Sequence, residues 1–167
     1  FSNLTPRMSR IDGVDKVVFF GLQYFIKEYL TKQFQENFFD IPWRIIATDY
    51  KRRMDNALGE DMVAFTHIQE LHNLGYLPIC IKALPEGSRV NLRVPCMVIY
   101  NTDKRFYWLT NYLETMLSAS IWGMCTSATM ALEYKKILNR YADKTVGNRE
   151  FVKFQGHDFS MRGMFGI

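Results

Sequence analysis

The sequence predicts a mixed α/β fold, because two kinds of apolar periodicity alternate along its 167 residues. Helical spacing of apolar residues dominates residues 15–75 and returns after residue 103, whereas alternating, β-branched runs fill the part between. The hydrophobic share of 48% and the aromatic share of 15% indicate a packed globular core rather than a disordered chain. We therefore expect an α+β domain with a small, mostly antiparallel sheet.

The formal net charge of +4 is too small to indicate a nucleic-acid-binding protein. The one tight basic cluster in the sequence, Lys51-Arg52-Arg53, is expected on a solvated helix face. Three widely spaced cysteines form no CxxC pair, so a zinc site is not expected and a reduced, cytoplasmic setting is the simplest interpretation. No apolar run reaches the ~18 residues of a membrane-spanning helix.

The apolar spacing in residues 15–75 predicts three helices. The first is expected to begin at Asp15, which has the side chain of an N-cap, and the second at Pro42. Gly59 is expected to end the second helix, because glycine is common just past a helix C-terminus. The third is expected to be capped by Asp61 and to end at Gly75.

Three short strands are predicted next. Residues 77–84 and 90–94 alternate apolar and polar side chains, and residues 97–100 follow an interrupting proline. Pro85-Glu86-Gly87 has the composition of a turn, in which Glu86 is expected to be a solvated charge. The pattern predicts a three-stranded meander within a larger sheet.

Two more helices are predicted after residue 103. The first has Leu109, Leu113 and Leu117 on its apolar side, and the second covers residues 127–141. Residues 142–150 are polar and are predicted to be a loop. Residues 151–154 are predicted to be a strand that leads into the most chemically diverse segment of the chain.

That segment, residues 157–163, combines an imidazole, a carboxylate, an aromatic ring, a guanidinium and a glycine. After a strand, Phe159 and Arg162 would lie at the mouth of an α/β barrel, where barrel enzymes have their active sites. An aromatic face suits a flat heteroaromatic ring, and a guanidinium suits a phosphate. The alternative is a core position for Phe159 and an ion pair for Arg162. The mixture is typical of a ligand site, so we expect the chain to be a piece of a larger enzyme.

Other candidate residues carry weaker signals. Arg7 and Arg10 lie in an irregular opening segment and are either exposed arginines on a mobile end or an anion-binding arm. His67 and His72 are five residues apart on a predicted helix and share no face, which favours structural roles. Glu114 lies among apolar residues of a predicted helix and is expected to be partly buried, where a carboxylate needs a partner.

Six segments together resemble the nicotinamide phosphoribosyltransferase family, in its bacterial or phage branch. They occur in the family's order, at similar spacing, and span nearly the whole chain. The segments are residues 16–24 (KVVFFGLQY), 81–87 (IKALPEG), 101–103 (NTD), 107–115 (YWLTNYLET), 135–138 (KKIL) and 157–163 (HDFSMRG). One departure is Lys104, which stands where the family commonly has proline.

The resemblance implies a type II phosphoribosyltransferase, in which an N-terminal α/β domain (residues 1–122, incomplete at its start) precedes an α/β barrel that begins in residues 123–167. It implies a pentosyltransferase that condenses nicotinamide with 5-phosphoribosyl 1-pyrophosphate, giving nicotinamide mononucleotide and pyrophosphate in NAD salvage. It also implies Mg²⁺ bound with the pyrophosphate substrate and leaves a coupling to ATP open. The implied partner is a second copy, in a homodimer with its active sites at the subunit boundary.

By motif position, the resemblance implies that Phe159 stacks on nicotinamide and that Arg162 contacts a phosphate. Arg7 matches an arginine that reaches the pyrophosphate of the neighbouring subunit's site, and Asp158 is given a supporting role beside the ligand. The family's remaining site residues fall outside these 167 residues, so no catalytic residue is expected within the chain and the chain alone is expected to be inactive. Two alternatives stay open: a nicotinate-specific relative, and a truncated paralogue that binds a nucleotide or a partner without turnover.

Overall fold

The computed structural model describes residues 1–157 and residue 159, and these residues form a mixed α/β fold as predicted. Its five strands are β1 (Ser2–Leu4), β2 (Lys16–Val18), β3 (Ile79–Ala83), β4 (Arg89–Asn91) and β5 (Met97–Asn101). Its four α-helices are α1 (Leu22–Tyr24), α2 (Trp43–Leu58), α3 (Thr66–Leu74) and α4 (Leu109–Thr145). Two π-helical stretches, Phe25–Gln33 and Gln35–Phe39, continue α1, and short 3₁₀-helices cover Lys104–Phe106 and Glu150–Phe154.

The described strands form two small sheets. The first has the strand order β1-β5-β3, and the second pairs β2 with β4 in antiparallel register, with Val17 opposite Val90. Strands β3 and β5 are also antiparallel, because the Leu84 N–H donates to the Cys96 carbonyl and the Thr102 N–H donates to the Pro78 carbonyl.

One compact unit comprises Phe1–Ser2, Leu22–Ile81 and Ile99–Glu114. Its interior is built from rings and branched aliphatic side chains, among which Phe25 and Phe106 are fully buried. Burial of such side chains, at about 1.5–3 kcal/mol each, is the main stabilising contribution to a unit of this size.

The other compact unit comprises Asn3–Gly21, Lys82–Val98 and the described residues from Thr115 onward. Its core is formed by the β2–β4 pair and one face of α4. The buried apolar side chains of this unit include Val18, Phe19, Val90, Cys96, Met97, Leu117, Ile121, Cys125, Ala142 and Val152. The predicted division into residues 1–122 and 123–167 stays a prediction.

Several predicted helix ends are confirmed. Helix α2 begins directly after Pro42 and ends at Gly59. Helix α3 ends at Gly75, whose left-handed φ of 79° lets its N–H donate to the carbonyls of Leu71 and His72. Glycine adopts this conformation without the steric cost that a Cβ brings, which is why the sequence signal was reliable here.

Two predicted N-caps are wrong. Residues after Asp15 form strand β2 rather than a helix, because the β-branched pair Val17 and Val18 pairs with β4 and the helix begins only at Leu22. Helix α3 begins at Thr66, so Asp61 does not cap it. The Asp61 carboxylate instead accepts from the Lys51 ammonium.

The predicted meander is also wrong. Strand β4 is only three residues long and pairs with β2, while β3 neighbours β5. The chain turns at Arg93, whose φ of 65° is incompatible with a strand continuing to residue 94. This turn ends β4 and separates it from β5 along the chain.

The end of the described chain differs from the prediction in two ways. Instead of two helices, α4 is one continuous helix of 37 residues. The hydroxyls of Ser120, Thr126 and Thr129 donate to carbonyls four residues earlier, so these polar side chains are satisfied within the helix. Residues 151–154, predicted as a strand, belong to a 3₁₀-helix that buries Val152. Among the described residues, no helix combines the length and the apolar character that a membrane crossing requires.

Candidate anion-binding site

A surface cavity of about 570 Å³ lies in the second compact unit, between the opening segment and the turn after β4. Arg7 and Arg93 contribute guanidinium groups to its lining, and Asp12 and Asp15 contribute carboxylates. The remaining lining residues are Met8, Ser9, Ile11, Gly13, Val14 and Leu92. We call residues 7–15 the cavity segment.

Backbone hydrogen bonds at both ends of the cavity segment place it against the turn after β4. The Arg93 N–H donates to the Pro6 carbonyl at 2.7 Å, and the Leu92 N–H donates to the Asp15 carbonyl at 2.9 Å. Between these anchors the chain turns on itself, with the Ile11 N–H donating to the Ser9 hydroxyl. Arg7 and Arg93 therefore belong to two chain segments that the fold brings to one cavity.

The two arginines of the cavity are exposed and, within residues 1–157, neither forms an ion pair, in contrast to Arg52, Arg53, Arg105 and Arg149. Arg149, for example, is bound to Asp143. A guanidinium that no carboxylate occupies can donate two parallel N–H bonds to a phosphate. The arrangement is therefore suited to an oxyanion, although Asp12 and Asp15 oppose an anion placed next to them.

The metal-binding donors that the cavity offers are carboxylates. No group of three or more His, Cys, Asp or Glu side chains with metal-binding geometry occurs among the described residues. Asp12 and Asp15 supply two carboxylates to the cavity, which fits a Mg²⁺ ion that takes its other ligands from water and substrate oxygens.

The chain directly after the cavity segment, residues 16–21, is fixed by hydrogen bonds to several parts of the same unit. The Val18 N–H donates to the buried Thr129 hydroxyl at 2.9 Å, and the Gly21 N–H donates to the Glu86 carboxylate at 3.0 Å. Glu86 is half-buried, so its prediction as a solvated charge is wrong. We call residues 16–21 the anchored segment.

Cys125 of helix α4 also binds the anchored segment. Its sulfur accepts from the Phe20 N–H at 3.4 Å, and its thiol donates to the Phe20 carbonyl at 3.3 Å. Burial raises the pKa of the Cys125 thiol, which keeps it protonated and able to donate. Burial likewise raises the pKa of Cys96 to about 11, which keeps the Cys96 thiol protonated at neutral pH.

The structure gives a location for some of the predicted site residues and not for others. Arg7 lines the cavity, whereas Arg10 is exposed and is not among its lining residues. Phe159 is 64% exposed, and its stacking role stays a prediction. Asp158 and Arg162 lie outside the described residues. Their predicted roles also stay predictions.

Arg93 was missed by the sequence reasoning, which assigned it to a strand. The available signal was the Asn91-Leu92-Arg93-Val94-Pro95 sequence, because asparagine before and proline after an arginine are typical of a turn.

The histidines and the basic cluster fit the structural roles predicted for them. His67 is 3.4 Å from the Tyr50 hydroxyl and packs edge-on against Trp108, and burial lowers the pKa of His67. His72 lies 2.8 Å from the Ile41 carbonyl. In the basic cluster, Lys51 pairs with Asp55 and Asp61, and both arginines pair with Asp49. These contacts leave no unpaired basic stripe at residues 51–53.

Glu114 differs from its prediction. It is exposed rather than partly buried, and its carboxylate accepts from the Ser2 hydroxyl at 2.6 Å. On helix α4 the buried face passes through Leu113 and Leu117, and Glu114 lies beside this face, where it is exposed.

Comparison with known proteins gives a consistent result. Over its whole length the chain is 54% identical to the nicotinamide phosphoribosyltransferase of Acinetobacter baylyi, of which it covers 34%. Over 95% of its length it is 31% identical to the nicotinamide phosphoribosyltransferase of Xanthomonas campestris pv. campestris, of which it covers 32%. Over 54% of its length it is 42% identical to the protein of the same name from Mycoplasma pneumoniae. No protein-family model matches.

The chain is a homologue of one part of these proteins. The resemblance stated from the six segments is thereby confirmed. The chain spans about a third of the length of the two curated relatives that it matches almost end to end.

Proposed function

We propose that the chain is the N-terminal part of a nicotinamide phosphoribosyltransferase. The full-length protein would condense nicotinamide with 5-phosphoribosyl 1-pyrophosphate to give nicotinamide mononucleotide and pyrophosphate. The observation that carries this proposal is the 54% identity to a protein of that name across the whole chain. Identity of this extent over the whole chain favours a shared activity over a shared fold alone.

The cavity chemistry supports the proposal. In phosphoribosyl transfer the pyridine nitrogen bonds to C1′ of the ribose, the bond from C1′ to the pyrophosphate oxygen breaks, and pyrophosphate leaves with its negative charge. Fixed cations lower the barrier when they are placed where that charge develops. Arg7 and Arg93, lining one cavity without ion-pair partners among the described residues, are suited to pyrophosphate.

The base and the sugar phosphate are assigned by motif position. In this proposal the exposed ring of Phe159 stacks on nicotinamide and Arg162 contacts the phosphate, with Asp158 beside them. Holding the base next to C1′ supplies the orientation that the reaction needs. Arg7 serves the site of the neighbouring subunit in a homodimer.

The remaining proposed features concern the whole protein. Residues 123–167 begin the α/β barrel, and the protein is cytoplasmic. Asp12 and Asp15 would hold Mg²⁺ that is bound together with the pyrophosphate substrate, and the ion would supply charge neutralisation there.

The test is a turnover assay of the full-length protein with 5-phosphoribosyl 1-pyrophosphate, Mg²⁺ and an equal mixture of nicotinamide and nicotinate. We expect nicotinamide mononucleotide and pyrophosphate in equal amounts, with nicotinamide consumed first. Faster consumption of nicotinate identifies the nicotinate-specific relative instead. Binding of the phosphoribosyl substrate without any product identifies a non-catalytic paralogue.

A further inference from the structure

Helix α4 ends in a tight turn that leads to the last described part of the chain. The N–H groups of Val146 and Gly147 both donate to the Ala142 carbonyl at 2.9 Å. Two residues later, the Arg149 side chain folds back onto Asp143 in the last turn of the helix. The Arg149 Nε lies 2.6 Å from one carboxylate oxygen, and its Nη2 lies 2.5 Å from the other. We call Asp143 and Arg149 the turn pair.

The turn pair is a two-point contact with a defined direction. Two parallel N–H···O bonds between a guanidinium and a carboxylate restrain the angle between the two groups as well as their distance. Hydrogen bonds from the Arg149 guanidinium hold the pKa of the Asp143 carboxyl below its usual range. The turn pair therefore restrains the angle at which the chain leaves α4.

Stability alone does not explain the acidic member of the turn pair. The C-terminal end of a helix carries partial negative charge, so a carboxylate in the last turn is unfavourable unless a cation neutralises it. The side chains of Asp143 and Arg149 are 46% and 60% exposed, and exposed ion pairs contribute little to the stability of a fold. A departure from a local preference without a gain in stability is typical of a functional feature.

The 3₁₀-helix Glu150–Phe154 continues the series of contacts that begins at the turn pair. The Asn148 side-chain oxygen accepts from the first N–H of this helix at 2.8 Å. Val152 is buried, its N–H donates to the Arg149 carbonyl, and its carbonyl accepts from the Gln155 N–H. The turn pair is thus connected through successive contacts to the chain at residue 155.

Phe159 follows four residues after the last of these bonds and is 64% exposed. A ring that is mostly exposed is held less by packing than a buried one, so the path of the preceding chain has more influence on its position. We propose that the turn pair is a positioning pair for the reaction, which holds this chain at the angle that places the Phe159 ring against nicotinamide. The inference rests on the proposed function, in which Phe159 stacks on the base.

Steady-state kinetics of full-length variants test the proposal. Asp143→Ala and Arg149→Ala each break the turn pair, and Asp143→Arg combined with Arg149→Asp forms it again with the charges exchanged. We expect each single variant to raise the KM for nicotinamide about 3- to 10-fold, because a displaced ring orients the base poorly. The KM for 5-phosphoribosyl 1-pyrophosphate and the Tm are expected to stay unchanged. The exchanged variant is expected to return the KM for nicotinamide to within about twofold of wild type.

The matched control is the exposed Glu133–Lys136 pair, which lies within α4 and does not span the turn. We expect Lys136→Ala to leave the KM for nicotinamide unchanged. An unchanged KM in both single variants of the turn pair overturns the proposal, and so does an equal rise in Lys136→Ala. A rise that the exchanged variant does not reduce also overturns it, because one residue rather than the pair is then responsible.

A conservative variant covers the case in which Arg149→Ala does not fold. Arg149→Lys keeps the charge but lacks the planar fork that restrains the angle. We expect it to raise the KM for nicotinamide with an unchanged Tm. A wild-type KM in this variant shows that charge alone is sufficient and overturns the directional role of the turn pair.

Hydrogen–deuterium exchange gives a readout that does not need turnover. In peptides that cover residues 150–157, we expect exchange to be at least about threefold faster in Arg149→Ala than in wild type, and as slow as wild type in the exchanged variant. Unchanged exchange in Arg149→Ala overturns the proposal, because the turn pair then does not hold this chain. A wild-type protein that forms no nicotinamide mononucleotide rejects the proposed function, and the exchange rates still decide whether the turn pair holds residues 150–157. Normal product formation by wild type, with no effect of the turn-pair variants, rejects the positioning role alone.

Discussion

Two neighbouring stretches of the chain differ sharply in how they are held. The anchored segment, residues 16–21, is bound to β4, to the Glu86 turn and to helix α4 by both backbone and side-chain hydrogen bonds. The cavity segment, residues 7–15, is tied to the turn after β4 at its two ends and otherwise bonds within itself. Yet the cavity segment contributes most of the residues that line the cavity.

This difference indicates that the two adjacent segments have different roles: the anchored segment positions the chain, and the cavity segment carries the residues that line the cavity. The anchored segment fixes the position at which the chain leaves the core. The Asp15 carbonyl, directly before this segment, therefore lies where it accepts from the Leu92 N–H. The cavity segment carries the Arg7 guanidinium, which is exposed in the cavity and can bind a ligand. Ligand-binding residues are commonly carried by irregular segments that a well-bonded scaffold positions.

The largest effect is expected for Gly21→Ala. Gly21 has a φ of 102°, and an added Cβ would lie 2.6 Å from the Met124 sulfur and 2.9 Å from the Met124 Cβ. Backbone strain and overpacking together are expected to lower the free energy of unfolding by about 2–4 kcal/mol. Denaturant unfolding of the full-length variant measures this loss.

Gly13→Ala is the matched control in the cavity segment. Gly13 also has a positive φ, 76°, but an added Cβ would meet nothing within 4 Å. Only the backbone strain of about 1–2 kcal/mol is then expected. Equal losses for the two variants would show that the anchored segment is not more tightly packed than the cavity segment.

Arg7→Ala is expected to act on substrate rather than on stability. Removal of a charge-assisted contact worth about 1.5–3 kcal/mol predicts a rise of about 10- to 100-fold in the KM for 5-phosphoribosyl 1-pyrophosphate, with an unchanged Tm. The control is Arg10→Ala, because Arg10 is exposed but does not line the cavity. The KM values of both variants are measured by steady-state kinetics of the full-length protein. An equal rise in KM for Arg7→Ala and Arg10→Ala would show that the position of Arg7 in the cavity is not the cause.

Thr129→Val removes one of the hydrogen bonds that hold the anchored segment. The Thr129 hydroxyl accepts from the Val18 N–H and donates to the Cys125 carbonyl, and its loss leaves a buried N–H unpaired. We expect the free energy of unfolding to fall by about 1–3 kcal/mol.

Thr126→Val is the control on the same helix, since the Thr126 hydroxyl donates to the Trp122 carbonyl and the side chain is exposed. Its effect is expected to be a few tenths of a kcal/mol, in the range of ordinary surface changes. If Thr126→Val lowers the free energy of unfolding as much as Thr129→Val does, the hydrogen bond to Val18 is not the cause of the Thr129→Val effect.

The sequence predicted local features well where one residue type decides the geometry. Pro42, Gly59 and Gly75 mark helix ends in the structure as they do in the sequence. The burial of Leu109, Leu113 and Leu117 was also predictable, because their spacing alone defines a helix face.

The errors concern contacts between distant parts of the chain. No local pattern shows that Lys16–Val18 pairs with Arg89–Asn91, so the strand was assigned to a helix. Helix α4 is continuous where two helices were predicted, and hydroxyl-to-carbonyl bonds satisfy the polar residues Ser120 and Thr126 between the two predicted helices. Register between strands and satisfaction of buried groups are tertiary properties that override local propensity.

The candidate site was predicted in part for the same reason. Arg7 was identified through the resemblance, whereas Arg93 joins it only because the Arg93 N–H binds the Pro6 carbonyl. A residue at a turn acquires a binding role from the segment that folds against it, and that segment is more than 80 residues away in sequence.

The most direct measurement is a complementation assay with mixed subunits of the full-length protein. Arg7→Ala and Arg162→Ala variants, each with little activity alone when 5-phosphoribosyl 1-pyrophosphate is kept below the wild-type KM, are unfolded together in equal amounts and refolded. If Arg7 serves the neighbouring subunit's site, half of the dimers are mixed and one of their two sites is intact, so about a quarter of the wild-type rate of nicotinamide mononucleotide formation returns. No recovered activity, with mixed dimers present, would contradict a shared site to which the cavity segment contributes.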